Sequence, residues 1–368
     1  MSGGVDSSVA AALLKQAGYE CVGVFMRVGT AGGAAAVEDA ATPGRRLRHG
    51  CCSAADAADA RAMAGHLGIP FYALDFERDF ESIIAEFVDE YAAGRTPNPC
   101  VVCNIRLKFG KLLRYADMLD AEFVATGHYA RVLTDTGHAC LARALNHEKD
   151  QSYVLFGIQR HDLPRCRFPL GEMADKAQVR QIAADLRLHV RDKPDSQEIC
   201  FVPNNDYRTL VRHRRPDTLR PGEVHNRAGE VIGTHEGIAG YTIGQRRGLG
   251  IAAGIPMYVT GLDAVANTVT LGPREELFSP GLLANGVNWL VDPPPSDQAR
   301  PAAIKIRYQH TPAAGRIWLR PDGSVAARFA APQLAVTPGQ AAVFYDDDIV
   351  LAGGWISAAG DPEIPETG

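Results

Sequence analysis

The sequence predicts an α/β protein: a doubly wound parallel-sheet domain, followed by a small central β-rich domain and a C-terminal β-barrel. Apolar runs typical of buried strands alternate with helical periodicity up to about residue 190. After about residue 206, short apolar runs between glycines and prolines replace that periodicity. The predicted domains are residues 1–206, 207–273 and 274–358, and residues 359–368 are a predicted disordered tail.

The individual elements follow from the spacing of apolar side chains. Helices are expected over residues 9–19, 54–67, 80–91 and 104–119, and strands over residues 21–26, 71–74 and 123–125. Short strands are expected over residues 257–260, 268–271, 302–308, 316–319, 325–329, 341–345 and 349–351. The last five of these predict a small antiparallel barrel or sandwich.

The composition is that of an ordinary globular protein, with 46% hydrophobic and 22% charged residues. The 38 basic and 43 acidic residues give a net charge of −5, which argues against a non-specific nucleic-acid binder but allows a local basic face. There is no apolar run long enough for a membrane span and no signal peptide, so a cytoplasmic location without membrane contact is expected. The eight cysteines then suggest thiol chemistry rather than a disulfide framework.

A glycine-rich turn opens the chain and leads into the first predicted helix. It consists of Ser2, Gly3, Gly4, Val5, Asp6, Ser7 and Ser8. Backbone N–H groups and the helix dipole make such a turn an anion site, and no Gly-Lys-Ser/Thr follows as in a Walker loop. The turn resembles the pyrophosphate loop of the ATP-pyrophosphatase superfamily. We therefore expect it to bind ATP, with the Asp6 carboxylate as a candidate Mg²⁺ ligand.

The position of this loop conflicts with the predicted fold. In a doubly wound domain such a loop follows a buried parallel strand, but Met1 leaves no room for one. Because the neighbours of an omitted central strand lose their hydrogen-bond partners, omission is costly. We expect either that the natural start codon lies upstream or that the chain is truncated and poorly active.

Three cysteines are candidates for the chemistry. Cys100 and Cys103 follow a double-proline turn, and Cys200 lies far along the chain. A Cys-x-x-Cys pair can hold zinc, act as a redox dithiol, or contain one nucleophile beside a bystander. A structural zinc site needs four ligands, and one Cys-x-x-Cys pair supplies only two of them. A redox dithiol would leave the phosphate loop without a use. The third interpretation joins the two features, because ATP can activate an oxygen as a leaving group while a thiol delivers sulfur.

Several motifs together are more specific than any one of them. Beyond residues 2–8 they are Thr-Pro-Asn-Pro at 96–99, Cys-Asn at 103–104, Thr-Gly-His-Tyr at 126–129, Lys-Asp-Gln-Ser-Tyr at 149–153, Ile-Cys-Phe at 199–201, Gly-Gln-Arg-Arg-Gly-Leu-Gly at 244–250 and Thr-Pro-Gly-Gln-Ala-Ala-Val-Phe-Tyr at 337–345. In this order the set resembles the tRNA-specific 2-thiouridylase family from Met1 to about Ile356. That family has an ATP-pyrophosphatase domain, a small central domain and a β-barrel, as predicted above.

The resemblance implies a role for each matching position. Residues 2–8 would bind the ATP phosphates, and Met26 and Gly127 would line the adenine and ribose. Cys103 would be the nucleophile and Cys200 would carry the persulfide. The anticodon stem-loop of tRNA would be contacted by Asn98, Pro99 and Cys100 at the target base, and elsewhere by His128, Lys149, Asp150, Gln151, Arg307, Tyr308 and Gln340. A cysteine desulfurase or a sulfur-relay protein would load the persulfide.

Position 100 departs from the family pattern. Cys100 stands where many members have Asp, so three thiols could converge and hold an iron–sulfur cluster as a different source of sulfur. Two competing functions fit parts of the sequence less well. A small-molecule adenylating ligase resembling argininosuccinate synthetase would leave Cys103 and Cys200 without a purpose. The phosphate loop argues against a non-catalytic RNA- or metal-binding module.

Overall fold

The computed structural model describes residues 1–29, 54–135, 137–191, 193, 199–202, 206–251, 254–296 and 298–364. It divides into two compact units. The first comprises Met1–Ile84 and Pro99–Asp206, and the second comprises Ala85–Asn98 and Tyr207–Gly368. Within the described ranges, no helix combines the length and the apolar character that crossing a bilayer requires.

The first unit is an α/β structure, as predicted. Its helices are α1 (Val5–Gln16), α2 (Ala54–Leu67), the first part of α3 (Glu77–Ala92), α4 (Pro99–Cys103), α5 (Leu112–Met118) and α6 (Lys176–Asp185). Its strands are β1 (Gly23–Arg27), β2 (Phe71–Asp75), β3 (Val124–Ala125), β4 (Ala130–Asp135), β5 (His138–Arg143) and β6 (Cys166–Arg167). A buried cluster that includes Val9, Met63 and Val179 joins α1, α2 and α6. This packing holds the N-terminal end of α1, and with it the glycine-rich turn.

Two details of this unit differ from the prediction. β1 pairs with β2 and β3 with β6, both in parallel, but in the described ranges these are two separate pairs rather than one continuous sheet. The strand–helix alternation predicted up to residue 190 is wrong between β4 and β5, which form an antiparallel hairpin. Gly137, with φ +85°, lies in its turn. A positive φ is readily adopted by glycine, and this allows the chain to reverse without an intervening helix.

The segment after α4 also differs from the ordinary helix predicted for residues 104–119. Asn104–Lys111 forms a π-helix, and α-helical geometry resumes only in α5. A Cβ at Gly110 would lie 2.8 Å from the carbonyl oxygen of Ile105, so the tight backbone approach depends on glycine there. π-Helical turns are rare and occur frequently at functional sites.

The second unit begins with a small β-rich part. It contains α7 (Tyr207–Arg214) and four strands, β7 (Gly222–His225), β8 (Val231–His235), β9 (Tyr258–Asp263) and β10 (Thr268–Gly272). The strand order is β8-β7-β10-β9, and only the β7–β10 pair is parallel. Val224, Val259 and Val269 are buried in its core.

The C-terminal part of the second unit is a closed six-stranded barrel, as predicted. Its strands are β11 (Phe278–Trp289), β12 (Arg300–Lys305), β13 (Ala313–Leu319), β14 (Val325–Leu334), β15 (Ala341–Asp346) and β16 (Ile349–Ala359). They follow the order β11-β14-β13-β12-β15-β16, and pairing of β11 with β16 closes the barrel. Ile304, Ile317 and Phe344 belong to its fully buried core. Of the predicted tail, Ala359 belongs to β16, residues 360–364 have no regular secondary structure, and residues 365–368 lie outside the described ranges.

Candidate active site

The glycine-rich turn forms the N-terminus of α1. Gly4 is the N-cap residue and has no side chain to cap the helix, so the first backbone N–H groups of α1 face outward for an anion. Gly3 has φ +72°, and a Cβ at this position would collide with the carbonyl oxygen of Asp56. The oxygen of the Ser7 side chain accepts from the Ser2 N–H at 3.0 Å, which closes the turn. The fully buried Ser8 hydroxyl donates to the Gly4 carbonyl at 2.9 Å, inside the helix.

The carboxylate of Asp6 receives two donors from distant parts of the chain. The Tyr129 hydroxyl donates to Asp6 Oδ1 over 2.9 Å, and the Lys176 ammonium donates to the same oxygen over 2.6 Å. Lys176 is the first residue of α6, and its side chain is only 14% exposed. A partly desolvated ion pair of this kind is stronger than a surface pair. The carboxylate is therefore held in one orientation at the start of α1.

The loop backbone has a second attachment, at Lys193. Its ammonium donates to the carbonyl oxygen of Gly3 at 3.0 Å, and also to Asp56 Oδ1 at 2.5 Å and Asp59 Oδ2 at 2.9 Å. Burial lowers the pKa of Lys193, but the hydrogen bonds and charges of the two aspartates outweigh it, so the pKa lies above its ordinary value. Lys193 is therefore a stable cation that joins the turn to α2.

The two other residues predicted to bind ATP are Gly127, just after β3, and Met26, on β1. Gly127 follows β3, and a Cβ there would lie 2.8 Å from the Asp6 carbonyl carbon and the Ser7 nitrogen. The backbone after β3 therefore lies directly against the first turn of α1. Met26 is half-buried on β1, next to the buried Phe25. The structure thus brings Gly127 together with the turn.

The three cysteines lie in the same unit as the turn. Cys100 is exposed on α4, Cys103 is the half-buried last residue of α4, and Cys200 is half-buried. Within the described ranges Cys103 and Cys200 are thiols rather than a disulfide. The ring of Phe201, next to Cys200, packs edge-on against Phe80 of α3 with centroids 5.6 Å apart.

The residue after Cys103 has an unusual environment. Asn104 is 2% exposed and donates from Nδ2 to the Val154 carbonyl at 2.8 Å, whereas no donor among the described residues reaches its buried Oδ1. A buried acceptor without a donor costs about 1–3 kcal/mol. The Nδ2 hydrogen bond to Val154 fixes the Asn104 side chain at the start of the π-helix, directly after Cys103.

His128 is buried, and both of its ring nitrogens have partners. Nδ1 lies 2.7 Å from the Thr126 hydroxyl oxygen, and Nε2 lies 3.5 Å from the Lys108 ammonium of the π-helix. Burial, together with the charge of Lys108, holds the pKa of His128 well below 6.5, so the ring is neutral. Because the ammonium can only donate, Nε2 is the acceptor and Nδ1 carries the proton. His128 therefore connects the strand end after β3 to the helix that follows Cys103.

The segment of residues 149–151 has two different parts. The Asp150 carboxylate is buried and accepts from the N–H groups of Ala144 and Ser152 and from the Ser152 hydroxyl, so it faces the protein. Gln151 accepts the Tyr129 N–H at Oε1 over 3.0 Å, and its own N–H donates to the Tyr129 carbonyl over 2.8 Å. The Tyr129 donor fixes the orientation of the amide, so the Gln151 Nε2 donor points away from it.

The remaining predicted RNA contacts belong to the second unit. Tyr308 is 43% exposed, and the Lys305 ammonium lies 5.7 Å from the centroid of its ring. Arg307 donates from Nη1 to the Leu334 carbonyl at 3.0 Å. An exposed aromatic ring beside cations is an arrangement that can stack a base and attract phosphates.

Gln340 also belongs to the second unit. It donates from Nε2 to the carbonyl oxygens of Thr96 at 2.9 Å and Pro97 at 3.2 Å. The structure therefore places Gln340 against the segment that leads to Asn98. Pro99, the first residue of α4, is buried.

Sequence reasoning did not identify three polar residues around the turn, Tyr129, Lys176 and Lys193. Tyr129 lies inside the Thr-Gly-His-Tyr motif, which could have drawn attention to it. Lys176 and Lys193 carry no local signal, since they approach the turn from 170 and 190 residues along the chain. No cluster of three or more His, Cys, Asp or Glu side chains suited to a metal ion occurs in the part of the chain that the structure describes.

Comparisons with known proteins cover almost the whole chain. Residues 1–204 match the family model described as tRNA methyl transferase HUP domain, residues 209–273 the tRNA methyl transferase PRC-barrel domain, and residues 279–356 the aminomethyltransferase beta-barrel domain. The tRNA-specific 2-thiouridylase MnmA of Rhodopirellula baltica is 48% identical, over 98% of this chain and 96% of the relative. The protein of the same name from Geotalea uraniireducens is also 48% identical, over 98% and 94%, respectively.

Proposed function

Because the chain belongs to the tRNA-specific 2-thiouridylase family, we propose that it replaces the C2 oxygen of the wobble uridine in tRNA by sulfur in a reaction that consumes ATP. The observation that carries this proposal is the near-full-length similarity to relatives named for that activity. It is supported by the presence of the phosphate-binding turn, Cys103 and Cys200 in one compact unit. The descriptions of the matching family models name methyl transfer instead, so the experiment must distinguish the two products.

ATP is the first substrate in this proposal. Ser2, Gly3, Gly4, Val5, Asp6, Ser7 and Ser8 bind its phosphates, and Met26 and Gly127 line the adenine and ribose. A uridine C2 oxygen is amide-like and leaves poorly, but transfer of AMP to it creates a phosphate leaving group. The N–H groups at the start of α1 and the Lys176 ammonium stabilise the negative charge of the pyrophosphate that departs.

Magnesium fits the donor set at this position. Nucleotide-bound Mg²⁺ usually takes most of its ligands from phosphates and water and only one or two from carboxylates. Asp6 supplies one carboxylate, whose Oδ1 already accepts from Tyr129 and Lys176, so Oδ2 is the proposed ligand. Bound Mg²⁺ supplies positive charge against the phosphate oxygens.

The sulfur comes from a persulfide on Cys200, which a cysteine desulfurase or a sulfur-relay protein loads. The terminal persulfide sulfur attacks the adenylated C2. The Cys103 thiolate then attacks Sγ of Cys200, the sulfur–sulfur bond of the persulfide breaks, and its electron pair stays on the sulfur bound to C2. The C2 oxygen leaves with AMP. The products are 2-thiouridine, AMP, pyrophosphate and a Cys103–Cys200 disulfide, which an external thiol reductant reopens.

The RNA contacts are proposed on both units. Asn98, Pro99 and Cys100 meet the target base, which an anticodon loop presents at low cost because its bases are already unpaired. The anticodon stem-loop is contacted by Lys149, Gln151, Arg307, Tyr308 and Gln340, and by the chain segments that carry the buried His128 and Asp150. We assign residues 1–206 to the ATP-pyrophosphatase domain, 207–273 to the central domain, 274–359 to the barrel, which β16 extends to Ala359, and 360–368 to a tail. We place the reaction in the cytoplasm.

The test is nucleoside analysis of tRNA incubated with ATP, a persulfide donor and the purified protein. We expect a thionucleoside with the wild type and none with Cys200→Ser. Cys21→Ser is the matched control and should retain activity, because burial raises the pKa of the Cys21 thiol and disfavours its thiolate. A methylated nucleoside, or ATP cleavage that does not depend on tRNA, would refute the proposal. Iron-free protein with full activity would refute the iron–sulfur route.

A further inference from the structure

Tyr129 occupies a position between two segments that have separate proposed roles. Its hydroxyl donates to Asp6 Oδ1 over 2.9 Å, at the phosphate-binding turn. Its backbone N–H donates to Gln151 Oε1 over 3.0 Å, and its carbonyl accepts from the Gln151 N–H over 2.8 Å, at the proposed RNA-binding segment 149–151. Tyr129 therefore contacts both segments directly, the turn through its side-chain hydroxyl and residue 151 through its backbone.

The surroundings of Tyr129 make this connection stiff. Its side chain is 3% exposed and belongs to the same buried cluster as Val5 and Val9 of α1. Buried side chains in close packing do not move independently of their neighbours. A ligand that displaces Gln151 must therefore also shift Tyr129, and the hydrogen bond between Tyr129 and Asp6 resists that shift.

From this geometry we propose that Tyr129 is a positioning residue that couples RNA binding at residues 149–151 to ATP binding at the phosphate turn. RNA that accepts a hydrogen bond from Gln151 Nε2 fixes the conformation of this segment. The Tyr129 hydroxyl, which contacts Asp6, is thereby fixed as well. Coupling between two sites is reciprocal, so ATP tightens RNA binding by the same factor. ATP is then bound tightly, and cleaved, mainly when the RNA substrate is present. This inference rests on the proposed function.

The experiment measures the affinity for α,β-methylene ATP with Mg²⁺, with and without an anticodon stem-loop carrying a wobble uridine. For the wild type we expect the stem-loop to tighten nucleotide binding about fivefold or more. Tyr129→Phe removes only the hydroxyl, and its ratio of the two affinities should fall to near unity. Tyr115→Phe, a Tyr-to-Phe change on α5 outside the site, should keep the wild-type ratio.

Lys176→Met separates coupling from simple loss of a contact to Asp6. Lys176 donates to the same oxygen, but it does so from α6. This variant should weaken nucleotide binding equally with and without RNA and keep the wild-type ratio. Binding stoichiometry corrects for any misfolded fraction.

Two results would overturn the inference. One is a Tyr129→Phe variant with the wild-type ratio, and the other is a wild type without any coupling. Either result leaves the proposed function standing if tRNA is still thiolated. Failure of the wild type to thiolate tRNA counts against the function itself.

Discussion

The barrel and the glycine-rich turn of residues 2–8 are stabilised by different kinds of contact. In the barrel, strands contribute side chains to one apolar core, and Ile304, Ile317 and Phe344 are fully buried there. The glycine-rich turn of residues 2–8 rests on the apolar cluster around α1, but polar side chains from far along the chain fix its geometry. Tyr129, Lys176 and Lys193 reach it from 123, 170 and 190 residues away. Burial of apolar area therefore stabilises the barrel, whereas a few directed contacts set the geometry of the turn.

The largest expected effect on stability concerns the barrel core. Ile304→Ala removes three buried carbons at a position with 0% exposure and should lower the free energy of unfolding by about 2–5 kcal/mol. Ile255→Ala makes the same change at a position with 60% exposure and should cost less than about 0.5 kcal/mol. Urea denaturation measures both. ATP affinity of the folded Ile304→Ala protein should remain unchanged, and a tenfold loss would contradict the contrast between the two regions.

The opposite pattern is expected at the turn. Lys193→Met removes the donor to the Gly3 carbonyl and the cation that faces Asp56 and Asp59. The KM for ATP should rise about tenfold, equivalent to one hydrogen bond of about 1.4 kcal/mol, because the turn backbone is no longer held. The free energy of unfolding should fall by only about 1 kcal/mol, since the side chain is 31% exposed.

Lys193→Arg is the control for charge at this position. It keeps the cation and should restore part of the ATP affinity. Steady-state kinetics at saturating tRNA measures KM and kcat separately. If Lys193→Met lowers stability as much as Ile304→Ala and leaves KM unchanged, Lys193 is a structural residue and does not position the turn.

The same contrast explains which parts of the fold the sequence could predict. Four strands of the barrel, β12 to β15, were expected close to their observed positions because apolar runs between turn residues are a local signal. β11 was missed. It contains Pro280, Gly281 and Gly286, and its register shifts at two places against β16 and once against β14, so it lacks the regular alternation on which strand prediction depends.

In the site, motifs identified positions but not contacts. The turn at residues 2–8 and its helix could be predicted because glycine and helix-start patterns are local. The π-helix after Cys103 could not, since nothing in its apolar spacing separates it from an α-helix. The RNA contact expected for Gln340 stays a prediction, and nothing in the sequence indicated that its amide donates to the backbone of Thr96 and Pro97. Such partners depend on the tertiary fold, which no local pattern encodes.

The smallest expected effect concerns His128, which combines both kinds of environment. It packs near Phe109 and Phe168 and also contacts Thr126 and Lys108. Because burial holds its folded-state pKa well below the ordinary 6.5, protonation favours the unfolded state. Its contribution to stability is fully present above pH 6.5 and is lost as the pH falls from there toward the folded-state pKa.

At about pH 5.8 the wild type should have lost about 1 kcal/mol of unfolding free energy through this residue, relative to about pH 7.5. His128→Gln keeps hydrogen-bonding capacity but does not titrate. Between the two pH values the variant should therefore lose about 1 kcal/mol less unfolding free energy than the wild type. Urea denaturation of both proteins at the two pH values measures the difference. His235 and His310, whose pKa values burial also lowers, titrate in both proteins and cancel in the comparison. An equal loss of stability in wild type and variant would mean that His128 takes up a proton as readily in the folded protein as in the unfolded one. The buried ring would then be charged at the lower pH, contrary to the neutral ring inferred here from its burial.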